Sequence, residues 1–180
     1  MTTTEITLAE YYNQFHKMVY NTALSYLQNI EDAEEITQDV FLELHHSIAG
    51  FRAESSLKTW IYRITINKSL DLIKYRKRKK RFGIFNSINL DQSAPLKIPE
   101  SDFHHPGVVL ENKEKAAILF KAIDTLPEIQ KTVFILSKVE GLGNVEIGEI
   151  IKKSVGAVES LNSRARENLK KELFDYYNKN

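Results

Sequence analysis

Three of the four prolines, Pro95, Pro99 and Pro106, lie in one stretch, FGIFNSINLDQSAPLKIPESDFHHPG, which is also rich in Ser, Asn and Asp and has no sustained apolar period. Such a stretch reads as a linker. On both sides of it apolar residues recur at helical spacing, without alternating strand segments or an internal repeat. The expected fold is therefore all-α. Two small helical domains, residues 1–81 and 107–180, are joined by a flexible linker at 82–106.

The expected first helix opens at Thr7, where TLAE forms a capping box with Glu10, and carries Leu8, Tyr12, Phe15, Val19 and Tyr26 on one stripe. A second is expected from DAEE, with Asp32 as its cap and Ile36, Val40, Leu44 and Ile48 facing inward. Leu42 falls about 200° from Val40 round such a helix, among Gln38 and Asp39, as an exposed apolar contact in acidic surroundings. From Leu57 a third helix runs without a breaker into KYRKRKKR, residues 74–81. Its stripe is Leu57, Trp60, Ile61 and Ile64, then Ile66, Leu70 and Ile73, which leaves Lys58, Tyr62, Thr65 and Ser69 on another face.

Charge is segregated along the chain. The formal net is +1, yet residues 1–51 carry −7, residues 52–81 carry +9 and residues 82–180 carry −1. Aromatic rings can stack on unpaired bases while Lys and Arg neutralise phosphates, so the third helix suits single-stranded or melting DNA. In the second half, Pro127 starts a helix, Gly141 follows its end, Val145, Ile147, Ile150 and Ile151 mark a short helix, and Ser154 caps a longer one. This is helix-turn-helix layout. Small residues at the start of its second helix allow close approach to a groove, and Arg164 and Arg166 can bind phosphate. Val155, Val158, Ala165 and Leu169 form that helix's inward stripe, which polar Asn162 completes.

The chain has no cysteine, which excludes disulfides and thiolate metal sites. No segment resembles a signal peptide or reaches the roughly 18 apolar residues of a membrane span, so a cytoplasmic protein without membrane insertion is expected. A Walker loop, GxGxxG and HExxH are all missing from the sequence, and no catalysis, cofactor or metal is expected.

DAEEITQDVFLEL, FRAESSLKTWIYRITINKSLDLIKYRKRKK and LPEIQKTVFILSKVEGLGNVEIGEIIKKSVGAVESL, in that order, resemble bacterial RNA polymerase sigma factors of the extracytoplasmic-function group. The resemblance implies a sigma region 2 bundle and a sigma region 4 helix-turn-helix. The implied role is to bind core RNA polymerase, direct promoter-specific initiation and help to melt promoter DNA. Gln38, Asp39, Phe41 and Leu42 would contact polymerase. Arg52, Ser55, Ser56, Lys58, Thr59, Trp60, Arg63, Asn67 and Lys68, with Asp71, Lys74, Arg76 and Arg78 beyond, would hold the unpaired −10 strand. Ser154, Gly156, Ala157, Glu159, Ser160, Arg164 and Arg166 would dock on the −35 element. Many members carry a cation where this chain has Glu159 and Leu161, which leaves the bases read at −35 open. An anti-sigma factor is a further candidate partner. The competing readings are a stand-alone helix-turn-helix regulator and a protein-interaction adaptor whose basic run is a solvated tail.

Overall fold

The computed structural model describes residues 8–87 and 113–179, and all regular elements among them are helical. In the first module, α1 (Leu8–Leu27), α2 (Ile30–Ser47) and α3 (Leu57–Ser87) form a bundle, with a 3₁₀ turn at Ile48–Gly50 after α2. The second module comprises α4 (Lys113–Ile123), α5 (Glu128–Phe134), α6 (Asn144–Ile151) and α7 (Val155–Lys179). The linker and the expected Thr7 cap lie outside the described residues. Helix α3 runs on to Ser87 instead of closing at Arg81.

Gln28, at φ 51°, ends α1, and the extended Asn29 then caps α2 by accepting the Asp32 amide at 2.9 Å. Asn29 thus takes the capping role expected of Asp32. The Asp32 carboxylate is instead buried and bound to Arg76 across the bundle. Phe15, Val19, Ala23, Ile36, Val40, Leu44, Ile61 and Ile64 form the core of this bundle.

The face of α3 expected to carry open aromatic and hydroxyl groups is largely covered. Tyr62 is 3% exposed, and Thr65 and Ser69 are fully buried, with their hydroxyls donating to the carbonyls of Ile61 and Thr65. Short hydroxyl side chains can satisfy themselves on the preceding helical turn and so enter a core, which simple polarity does not anticipate. Tyr62, Ile66 and Tyr26 belong to the same apolar cluster as Phe120, Leu126, Ile147, Ile150 and Val158. One continuous core therefore joins the two modules.

In the second module Pro127 caps α5, which continues through a π turn at Ile135–Val139, and Gly141 at φ 69° breaks the chain beyond it. Helix α6 starts with the Gly143 amide donating to Glu146 Oε2 at 3.2 Å and ends at Lys152, whose left-handed φ of 56° turns the chain toward α7. Ser154 caps α7 by accepting the Ala157 amide. The tight turn between α6 and α7 needs Gly148, because a Cβ there would stand 2.7 Å from the Lys153 carbonyl oxygen.

Candidate nucleic-acid and polymerase interface

On the outer side of α2, Leu42 is 57% exposed between the exposed Gln38, Asp39 and Glu43. An apolar side chain framed by carboxylates suits a partner surface that combines an apolar contact with cations. Phe41 does not share that face. It is 5% exposed and packs against Tyr12, with ring centroids 4.8 Å apart, because its position follows the buried Val40 on the core side of the helix.

The segment between α2 and α3, in which the sequence marks Arg52 and the serines, forms an open recess on the first module. Phe51 stacks on Trp60 at 5.0 Å and 27°, and Gly50, Arg52, Glu54, Ser55 and Arg63 complete the walls of an open cavity of about 310 Å3. A half-buried Trp60 thus has a face held by Phe51 and an edge on the cavity. The sequence signal for Phe51 was an aromatic residue in a polar loop immediately before an aromatic-bearing helix. Ser56 starts α3 by accepting the Thr59 amide at 3.0 Å, and its own hydroxyl donates to Thr59 Oγ1 at 2.8 Å. Thr59, 5% exposed, therefore serves the helix start and presents no free surface.

Along α3 the remaining expected residues divide by partner. Lys68 bridges back to Glu43 at 3.0 Å and Asp39 at 3.9 Å on α2. Asn67 and Asp71 are exposed. Arg76 is engaged with Asp32, whereas Lys77, Arg78 and Lys79 project from the helix as exposed side chains. Lys58, Arg63 and Lys74 face the second module. Lys58 Nζ donates to Glu146 Oε1 at 3.3 Å, Lys74 Nζ lies 3.0 Å from Glu128 Oε2, and Arg63 donates to the carbonyls of Glu149 and Ile150 at 2.6 and 3.1 Å.

The same seam contains Glu140 and Lys131, which sequence alone does not mark. Glu140 accepts from the Tyr62 hydroxyl at 3.4 Å, and burial pushes its carboxyl above the usual range despite the opposing influence of Thr22, Tyr62 and Lys58. Burial likewise holds the Tyr62 and Tyr26 hydroxyls above their ordinary values, so both stay protonated. Lys131, itself buried, donates to the Tyr26 carbonyl at 3.3 Å and lies 5.5 Å from the centre of the Tyr26 ring.

The start of α7 is open. Ser154, Gly156, Glu159, Ser160, Arg164 and Arg166 are exposed and Ala157 is half-buried, while Val158, Ala165 and Leu169 pack inward. Glu159 Oε1 accepts from Asn144 Nδ2 at 3.4 Å, which orients the carboxylate at the surface of the helix-turn-helix. Among the described residues no cluster of His, Asp and Glu could hold a metal ion, and no helix is long and apolar enough to cross a membrane.

Residues 11–80 match the family described as Sigma-70 region 2, and residues 116–169 match Sigma-70, region 4. The chain is 30% identical to the ECF RNA polymerase sigma factor SigW of Bacillus subtilis (strain 168), with 87% of this chain and 83% of the relative covered. The chain belongs to the extracytoplasmic-function sigma factors. It is also 29% identical to the ECF RNA polymerase sigma-E factor of Haemophilus influenzae, over 94% of this chain and 95% of that one. The fold of this sigma factor is shared with RpoE of Bartonella quintana, solved in complex with the anti-sigma factor NepR. That match has a TM-score of 0.62 at 21% identity and covers 92% of this chain and 95% of that chain. Region 2 thus corresponds to the α1–α3 bundle, and region 4 to the module that ends in α6 and α7.

Proposed function

We propose that this sigma factor binds core RNA polymerase in the cytoplasm through Gln38, Asp39 and Leu42 on α2. It holds the unpaired −10 strand on α3 and the loop before it, and docks the start of α7 on the −35 element. It contributes binding energy and shape to promoter opening and performs no covalent step. The observation that carries the reading is the recess in which Phe51 and Trp60 stack beside Arg52 and Arg63. An aromatic floor with cations beside it can take a base extruded from the duplex by stacking while it neutralises the flanking phosphates. Lys58, Arg63, Asn67 and Lys74 continue that surface along α3, and Lys77, Arg78 and Lys79 extend it to phosphates further upstream. On α7, Arg164 and Arg166 position the helix by phosphate contact, while Glu159 can accept a hydrogen bond from cytosine N4 in the major groove.

An anti-sigma protein is a candidate second partner, as the Bartonella quintana protein of the same fold is solved with one. The stand-alone regulator is disfavoured because such a protein has no use for a region 2 module. Transcription from a cognate promoter by purified core polymerase, with and without the chain, tests the proposal. Specific initiation that depends on the chain, with permanganate-reactive thymines around −10 that diminish in Trp60→Ala, is the expected result. Initiation unaffected by the chain would refute it.

A further inference from the structure

A cavity of about 350 Å3 lies between the end of α1, the stretch of α3 from Leu70 to Lys77, and the turn that leads from α4 into α5. It shares no lining residue with the recess of Phe51 and Trp60. Its floor is apolar. Leu126 is buried, Leu27, Leu70 and Ile73 are half-buried, and all four belong to the shared core or pack against it. Lys74, Arg76 and Lys77 line the cavity from exposed positions on α3 and so form its rim, while Asp124, Glu128 and the buried Lys131 stand on the other wall. Four cations thus face two carboxylates, and both carboxylates are already engaged. Glu128 pairs with Lys74 at 3.0 Å and Asp124 with Lys131. Arg76 is held by Asp32, which lies outside the lining, and Lys77 has no ion-pair partner among the described residues. The positive charge left over sits at one edge of an apolar hollow.

A hollow of this size, apolar below and charged at one side, has the build of a small-ligand site. A neutral apolar molecule would fill the floor and leave the Lys77 ammonium unanswered. An inorganic anion would answer the charge and leave the floor wet. We propose that the cavity binds a small amphipathic anion: a single carboxylate, sulfonate or phosphate head at Lys77 beside Arg76, on a compact apolar body that rests against Leu27, Leu70, Ile73 and Leu126. The site stands on the shape and charge of the cavity and does not depend on how α3 treats DNA.

Anilinonaphthalenesulfonate, an anionic head on an aromatic body whose fluorescence rises in apolar surroundings, is the probe for the full chain. Saturable binding of one dye per chain is expected. Lys77→Glu, at an exposed position that leaves the core alone, should weaken it about tenfold, the effect of roughly 1.4 kcal/mol. Lys79→Glu makes the same charge change on an exposed residue outside the lining and should leave binding as it is. Ile73→Phe fills the floor and should abolish the dye signal with circular dichroism unchanged; if that variant fails to fold, the Lys77→Glu comparison decides. Octanoate or salicylate should displace the dye, and which of them does so identifies the body as acyl or aromatic, whereas octanol and inorganic phosphate should not. Binding without saturation, equal affinity in Lys77→Glu and Lys79→Glu, displacement by octanol as readily as by octanoate, or displacement by neither acid overturns the proposal.

Discussion

The guanidinium of Arg76 grips both carboxylate oxygens of Asp32, which fastens the basic end of α3 to the first turn of α2. Asp32 is buried, whereas Arg76 is half exposed, so the pair stabilises the bundle less than a fully enclosed one would. Arg76→Ala strands the carboxylate and should lower stability by about 1 to 3 kcal/mol, read as a fall in the urea midpoint at unchanged slope. Lys77→Ala and Arg78→Ala should leave stability alone. Each should instead reduce the log-log salt dependence of promoter binding by about 0.7 to 0.9.

Leu42 on the acidic face of α2 gives a second expectation. Asp39→Arg with Leu42→Ala should abolish capture of core polymerase while circular dichroism stays unchanged, since neither side chain supports the core. Undiminished capture would remove this face from the interface.

Inside the second module Asn162 is 5% exposed. Its Nδ2 donates to Ser137 Oγ at 3.0 Å, whereas its Oδ1 is buried without a partner. A half-satisfied amide in a core costs more than its one hydrogen bond returns. Asn162→Leu should therefore raise the stability of the full chain by about 1 to 3 kcal/mol in chemical denaturation. An unchanged or lower midpoint would show that the amide is satisfied in solution.

Gly148 sets the turn of the helix-turn-helix. The Cβ of Gly148→Ala would meet the Lys153 backbone, which cannot yield without moving the start of α7. A loss of about 1 to 3 kcal/mol is expected, together with weaker binding to duplex carrying the −35 element. Gly156→Ala, with open space around its Cβ, should keep the fold and serves as the comparison.

Much of this architecture can be read from the sequence, because periodicity reports which side of a helix is apolar. The buried Ile36, Val40 and Leu44, the exposed Leu42, the break at Gly141 and the Ser154 cap all follow from spacing and turn chemistry. What spacing does not report is the partner of a face. Tyr62, Thr65 and Ser69 look outward by polarity, yet the second module and their own backbone bonds enclose them. Asp32 has the composition of a cap, but a cation more than ten turns of chain away claims it, and Asn29 takes its place. Spacing does not mark Phe51 either, because its role depends on a ring brought to it by the following helix.

The stability of the folded chain should also respond to pH through Glu140. Burial raises its carboxyl above the ordinary carboxylate range, so the fold favours the protonated form. That contribution is fully present below the ordinary range and is lost as pH rises through the raised value. Glu146 works in a separate window. The Gly143 amide and Lys58 lower its pKa, so its contribution is present above the ordinary range and lost as pH falls through the lowered value. The urea midpoint of the chain should accordingly fall on the alkaline side of the Glu140 transition. That response should flatten in Glu140→Gln and persist in Glu146→Gln.

The π turn at Ile135–Val139 lets one helical segment serve two surfaces at once. The wider loop, closed by the Glu140 amide on the Ile135 carbonyl at 3.0 Å, accommodates one residue more than an α-turn does. Deleting a residue there would return the segment to α-helix and rotate everything after it by about 100°. Ser137 would swing from Asn162 and Glu140 from Tyr62 together. In evolutionary terms, that single extra residue is an indel that a lineage can gain or lose in one event, and with it both of these contacts at once.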